Sequence, residues 1–288
     1  MKVLVDADPY VYSISHSLQP SCYWVDGEWH EDYYATLKML KEQDRTKDDM
    51  QKEQFLLPPW EIKPRVNAVL NSMVKKLKAE VKNEIGNLPL HFDWVFSSSS
   101  NFRKDIDIDY KGQRPPKPRW HKEVKKAIKA KTQAWSFPGL EADDVIAYEQ
   151  WFSFYNHGPQ SSIIAAIDKD FDIIPGWHYH IRDSYVYYVT EEEAALKLKE
   201  QLITGDSSDN IPGIKGMAEK KAKKWIENNP HNSWEEFRNL LITDKYKDEF
   251  DFPEDRYDTN FTLLDIGGVW SEKLGLELPQ ALQDLRNL

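Results

Sequence analysis

Four groups of carboxylates punctuate the chain: Asp6 after the apolar run Val3-Leu4-Val5; Glu141, Asp143 and Asp144 in Gly139-Leu-Glu-Ala-Asp-Asp-Val; Asp168 and Asp170 after Ile163 to Ile167; Asp206 and Asp209 in Gly205-Asp-Ser-Ser-Asp-Asn210. Any one of them reads equally well as a helix cap or a solvated surface group. Four groups, two of them directly after apolar runs, shift the balance toward one shared site. Converging carboxylates raise one another's pKa, and a divalent cation removes that conflict. Hard oxygen donors, with a single cysteine (Cys22) and eight histidines in no ligand spacing, select Mg²⁺ or Mn²⁺ over Zn²⁺. Two such ions suit phosphodiester cleavage, one activating water and one stabilising the leaving oxygen.

The elements that must position these groups follow from the apolar pattern. Val3-Leu4-Val5, Phe92 to Phe96 and Ile163 to Ile167 read as buried strands. Pro9 delays a first helix to near Tyr10. Val66, Val69, Leu70, Met73, Leu77 and Val81 recur at helical spacing, with Lys75, Lys76, Lys78 and Lys82 mostly on the other face. Residues 179–189 alternate around a turn, as a hairpin would. Thr190 and Glu193 have capping-box spacing, so a helix begins at Glu191, and another begins near Glu219. The expected class is α/β, a mostly parallel central sheet flanked by helices. In such sheets the ligand site lies beyond the carboxyl ends of the strands, where Asp6 and Asp168 stand. Residues 26–62 read as a charged, partly helical insertion.

With 288 residues and 40% hydrophobic content the chain can bury a core of one large domain. One cysteine excludes intramolecular disulfides and thiolate-rich metal sites. No apolar run approaches the roughly 18 residues of a membrane span, and the first residues lack a signal-peptide pattern. A cytoplasmic protein (host cytoplasm if phage-encoded) is expected, without membrane contact.

Taken as a total, the net charge of −10 opposes a nucleic-acid partner, but the charge is unevenly spread. Residues 103–131 hold eleven basic and four acidic residues, a net of +7, with Phe102, Tyr110 and Trp120 interleaved as stacking groups. Lys215 to Lys224 carries five lysines against Glu219, a net of +4, after the turns of Asn210-Ile-Pro-Gly-Ile-Lys-Gly216. Gly turns running into a helix N-terminus offer backbone N–H groups to an anion.

In this order the motifs resemble the 5′-nuclease superfamily, the flap endonucleases and 5′→3′ exonucleases, and look closest to the stand-alone bacteriophage enzymes. Gly205-Asp-Ser-Ser-Asp-Asn-Ile-Pro-Gly-Ile-Lys-Gly216 with Glu219-Lys-Lys-Ala222 is similar to the second metal-binding pair running into a helix–hairpin–helix-type module that grips duplex DNA. Asn101-Phe-Arg-Lys-Asp-Ile-Asp-Ile-Asp-Tyr-Lys-Gly-Gln-Arg114 resembles the segment entering the helical arch that passes single-stranded 5′ ends. The resemblance runs from Met1 to about residue 227. It implies a nuclease core over 1–200, including the insertion 26–62 and an arch over about 101–131, and a DNA-binding region over 201–288. Asp6, Glu141, Asp143 and Asp168 would serve the first metal, and Asp170, Asp206 and Asp209 the second. Asp144 and Asp172 have weaker claims. Lys111 and Arg114 match the basic pair above the scissile phosphate, where a cation stabilises developing phosphoryl charge. Arg103 would orient the 5′ strand. Lys104, Lys117, Arg119, Lys122, Gly213, Lys215, Gly216, Lys220 and Lys221 would face DNA. The implied cofactors are two Mg²⁺, replaceable by Mn²⁺, and K⁺ at the 211–217 turn. The implied partner is DNA with a 5′ end, flap or nick, with RNA/DNA hybrids as a secondary substrate, and the protein is expected to be a monomer.

Two departures from the family pattern stand out. The second strand ends in Ser97 to Ser100 where the family has an Asp, so Ser97 or Ser98 would hold a metal-bound water. The Gly-apolar-Gly turn becomes Gly216-Met217-Ala218, which requires φ < 0 or strain at Ala218. A nuclease fold that has lost its chemistry and only binds DNA is one alternative, supported by the serine run. A PIN-type ribonuclease is another, although those chains are shorter and lack the Asn-Ile-Pro-Gly module.

Overall fold

The computed structural model describes residues 1–113, 115–242 and 254–287. They form two compact units: Met1–Ala7, Lys75–Pro115 and Ala134–Leu288 make the first, and Asp8–Val74 with Pro116–Gln133 the second.

The first unit is built on a five-stranded sheet. β1 (Lys2–Asp6) pairs in parallel with β5 (His91–Val95) on one side and β6 (Ser162–Ala166) on the other. β7 (Gly176–His180) adds in parallel to β6, and β8 (Tyr185–Val189) closes the edge antiparallel, giving the order β5-β1-β6-β7-β8. β6 is buried along its whole length, as a strand covered on both faces must be. β1 is thus flanked by parallel strands on both sides, and the carboxyl ends of β1 and β6 lie side by side.

Helices α6 (Ala142–His157) and α7 (Glu191–Thr204) belong to this unit, and α7 starts at the Thr190/Glu193 capping box expected from sequence. Beyond it come the two-residue strands β9 (Gly205–Asp206) and β10 (Ile211–Pro212), α8 (Glu219–Asn228), α9 (Trp234–Ile242), α10 (Glu254–Leu264), α11 (Val269–Lys273) and α12 (Gln280–Arg286). The expected boundary near residue 200 is not a division between compact units. Leu198, Ile211, Ile226, Phe237 and Phe261 share one apolar cluster with Leu4, Val95 and Ile164 of the sheet.

The second unit holds α1 (Asp8–Ser17), which accommodates Pro9 in its first turn, where no N–H is required. The charged insertion over 26–62 is partly helical, as expected, and also contributes to a small sheet. β2 (Ser21–Val25) lies between β3 (Glu28–His30) and β4 (Gln51–Gln54), all antiparallel. The β2–β3 turn is Asp26-Gly27 with φ of 52° and 84°, the two-residue hairpin that this dipeptide favours. α2 (Tyr33–Glu42) follows, capped by Asp32, whose Oδ1 accepts from Ala35 N at 2.8 Å. The long helix α3 (Ile62–Glu84) runs from this unit into the first, with Val66, Leu70, Met73, Leu77 and Val81 buried as the spacing predicts. The expected arch is divided too: α4 (Arg103–Ile106) lies in the first unit and α5 (His121–Thr132) in the second. Among the described residues no helix is long and apolar enough to cross a membrane.

Gly205 and Gly213 explain how closely the backbones approach at the antiparallel β9–β10 pair. A Cβ on Gly205 would lie 2.3 Å from Gly213 N, and one on Gly213 would lie 2.1 Å from the Thr204 carbonyl carbon. Gly213→Ala is expected to force the paired backbones apart and to destabilise the fold by about 1–3 kcal/mol. Denaturant unfolding measures this, and an unchanged midpoint would show that the backbone contact relaxes freely.

Candidate active site

Asp6 is the last residue of β1 and is buried. Glu141 caps α6 from an extended conformation, and Asp143 lies in that helix's first turn, where the partial positive charge of the helix end favours carboxylates. Asp168 follows β6 and caps the short turn Lys169–Ile173, its Oδ1 accepting from Asp170 N at 3.0 Å. These four groups lie within electrostatic reach of one another. Burial pushes the Asp143 carboxyl well above the usual range, Asp6 pushes it further, and Glu141 and Asp168 add to this against the opposing charge of Lys111.

The second group centres on Asp170. Burial, then the charges of Asp168, Asp206 and Asp209, push its carboxyl up to about 7, and it shares a hydrogen bond with Asp206. Gln201, one turn before the end of α7, donates from Nε2 to Asp170 Oδ1 at 2.6 Å. Asp206 accepts from Ser208 N and Ser208 Oγ, both at 2.7 Å, which folds the Asp206–Asp209 loop tightly.

One turn of chain ties the two groups together. Lys111 Nζ lies 2.6 Å from Glu141 Oε1 and 3.2 Å from Asp209 Oδ2. The Tyr110 hydroxyl lies 2.8 Å from Glu141 Oε2 and 3.0 Å from Asp209 Oδ2. Lys111, at φ 56°, donates its backbone N–H to Asp209 O at 3.0 Å, and Asn210 Nδ2 donates to Asp109 O at 3.1 Å. Among the described residues no three His, Cys, Asp or Glu side chains close into a ready ligand shell. The acidic groups are instead spanned by an ammonium and a phenol. Burial, with Glu141 and Asp209, holds the Tyr110 hydroxyl protonated far above its usual range, against the opposing charge of Arg103.

Several sequence expectations change here. Arg103 does not face a DNA strand: it is 1% exposed and makes a two-pronged pair with Asp144 at 2.7 and 2.8 Å. Asp144 has no exposed surface and is a partner of Arg103 rather than of a metal. Phe102 and Tyr110 are buried rather than open stacking surfaces, and the Trp120 indole N–H donates to Leu57 O at 2.9 Å. Ser97 Oγ accepts from Ala142 N at 3.0 Å, capping α6, and Ser98 Oγ lies 3.3 Å from Ser100 Oγ. Asp93 accepts from the Trp135 indole and Asp172 from the Tyr187 hydroxyl, both bonds structural. Gly213 is required by the close backbone approach. Ala218 has φ −77°, so the altered turn is unstrained. Lys104, Lys117, Arg119, Lys122, Lys215, Gly216, Lys220 and Lys221 are exposed, with Lys221 Nζ donating to Gly216 O at 3.1 Å. Arg114 lies outside the described residues. Sequence reasoning missed the Tyr110 bridge and Gln201, because their partners lie 31 to 99 residues away.

Asp170 makes the metal-free fold sensitive to pH. Its carboxyl keeps its proton in the folded chain between 3.8 and about 7, where the unfolded chain has lost it. Stability in chelator therefore falls as pH rises through that window, by up to ~4 kcal/mol, and this contribution is constant above it. Asp170→Asn should flatten that slope in thermal unfolding, and an unaltered slope would contradict the assignment.

No family model matches the chain. A 5′-3′ exonuclease of Aquifex aeolicus is 27% identical over 215 residues, covering 67% of this chain and 73% of the relative. DNA polymerase I of Rhizobium leguminosarum is 31% identical over 180 residues, covering 56% of this chain, which spans only 17% of that polymerase's length. Among solved structures, the zinc-bound 5′-exonuclease of bacteriophage T5 superposes with a TM-score of 0.51 at 17% identity, over 75% of this chain and 88% of that one. The bacteriophage T5 flap endonuclease in a complex with DNA and metal ions gives 0.52 at 16% identity, over 78% and 90%. The shared fold and the sequence relatives, among them a 5′-3′ exonuclease and a flap endonuclease, agree with the motifs at the strand ends and support the resemblance to the 5′-nuclease superfamily.

Proposed function

We propose that this chain is a divalent-metal-dependent nuclease that hydrolyses DNA phosphodiesters near 5′ ends, as a 5′→3′ exonuclease and 5′-flap endonuclease. The observation that carries the reading is the convergence of two acidic groups, one with Asp6 and Asp168 beyond the ends of β1 and β6 and one around Asp170, bridged between Glu141 and Asp209 by Lys111 and Tyr110. The donor chemistry fits hard cations: every candidate ligand is a carboxylate, and Asp143 and Asp170 are destabilised as anions by their neighbours. Asp6, Glu141, Asp143 and Asp168 would hold one ion, and Asp170, Asp206 and Asp209 a second, with Mg²⁺ the expected metal and Mn²⁺ a substitute. When bound, the ions supply charge neutralisation at the phosphoryl oxygens and activation of water.

The chain's own contribution is positional and electrostatic. Lys111 offers an ammonium within reach of both acidic groups, where it can move onto a phosphoryl oxygen once the carboxylates find other cations. Arg114 is the second candidate cation. The exposed lysines of α8 and the turn before it would hold duplex phosphates, with K⁺ at residues 211–217, and the basic residues 104–131 would hold the 5′ strand. RNA/DNA hybrids present similar phosphates and are a candidate secondary substrate. The complex of the T5 flap endonuclease with DNA and metal ions supports this reading.

In Mg²⁺, 5′-labelled blunt, nicked and 5′-flap duplexes should be cut, with product lengths separating exonuclease from flap cleavage. Asp170→Ala or Asp206→Ala should abolish cutting and leave DNA binding largely intact. Lys111→Ala should lower kcat by about 10²–10³-fold. Full activity of both carboxylate variants would sink the proposal.

A further inference from the structure

Arg103 and Asp144 are 1% and 0% exposed, so neither touches DNA or solvent. Replacing a buried ion pair by apolar residues is often neutral or stabilising, so stability alone is a weak reason for one. What this pair fixes is geometry. Arg103 Nε donates to Leu263 O at 2.8 Å, while its two terminal nitrogens donate to the two Asp144 oxygens. Asp144 Oδ1 also accepts from Gly267 N at 3.0 Å, and Oδ2 from Glu141 N at 3.1 Å. The second of these bonds holds the backbone of the residue whose carboxylate takes Tyr110 and Lys111. The first fastens the C-terminal turn to α6. That turn approaches as only glycine allows: Gly267 has φ +67°, and a Cβ on it would lie 2.8 Å from Asp144 O and 2.9 Å from Tyr148 N.

We infer that Arg103 and Asp144 are positioning residues for hydrolysis, and that the turn Leu263–Gly268 is part of the active-site architecture through them. The inference rests on the nuclease reading above. Arg103 sets the start of the segment that ends in Tyr110-Lys111, Asp144 sets Glu141, and their two parallel bonds keep these two halves of the site in register. Neither residue needs to meet the substrate, so the effect belongs in turnover rather than in DNA affinity.

Two variants test this on a 5′-flap substrate in Mg²⁺. Arg103→Lys keeps the buried charge but loses the fork and the Leu263 bond. Arg103→Met/Asp144→Asn removes the ion pair without leaving an unpaired charge. Both are expected to lower kcat roughly 10- to 100-fold, with KM and DNA binding in chelator unchanged and with the loss persisting at a temperature where circular dichroism shows full folding. Wild-type kcat in either folded variant overturns the inference, as does a loss that vanishes on cooling. If the double variant does not fold, Arg103→Lys decides alone. A wild-type protein that cuts no 5′-ended DNA removes the nuclease reading itself, a result separate from any outcome of the variants.

Discussion

Asp6 and Asp168 end two parallel strands that are direct neighbours, and adjacent strands lie only about 5 Å apart. The topology therefore brings anions together before any side-chain choice is made. Asp143 on α6 and Asp170 on the following turn enlarge the cluster, and both lose acidity for it. The surrounding features answer to this repulsion. The N-terminus of α6 points its partial positive charge at Glu141 and Asp143. Lys111 and Tyr110 place a cation and a donor between the groups, and Gln201 donates to Asp170. A chain that tolerates such a cluster carries a site whose natural complement is cationic.

Asp143 and Asp144 show how finely the first turn of α6 divides its tasks. They are consecutive, yet their acidities move in opposite directions. Burial works against both anions, but the Arg103 guanidinium holds the Asp144 carboxyl below its ordinary range, helped by the N–H groups of Gly267 and Glu141. Asp143 faces Asp6 instead and is raised. Neighbouring carboxylates with divergent proton affinities mark a division of labour: one is fixed as an anion in a structural lock, the other is held among like charges.

Much of this was legible in the sequence. The three apolar runs became β1, β5 and β6, residues 179–189 a hairpin, and Thr190/Glu193 a capping box, because each rests on local periodicity or a short-range bond. Asp6 and Asp168 stood out because they follow apolar strands, and the other acidic groups because they cluster within a few residues. The small sheet was also written locally, in Asp26-Gly27, but a high charge density obscured it. Arg103 could not be read: an arginine in a basic stretch is ordinarily exposed, and its partners lie 41 and 160 residues away. The extent of the compact units was hidden for the same reason, since the apolar face of α8 declares itself only when seated against α7.

The basic helices carry a cost that bears on their role. On α8, Ala222 and Ile226 are buried, and the solvent side bears Lys220, Lys221, Lys223 and Lys224, with Lys220 and Lys224 at like-charge i,i+4 spacing. On α5, Val124 and Ile128 are buried, and Lys122, Lys126 and Lys129 share exposed positions at spacings of four and three. Such spacing destabilises a helix by a few tenths of a kcal/mol per pair, about 0.2–0.5. A merely solvated face would mix signs, and in a chain with ten more acids than bases mixing would be easy. On each helix the lysines outnumber the acids, Glu219 and Glu227 on α8 and Glu123 on α5, so an excess of cations remains that a polyanion would relieve. The overall negative charge then has two parts, the carboxylates gathered at the strand ends and acidic surfaces that would repel a polyanion from everywhere but the basic helices.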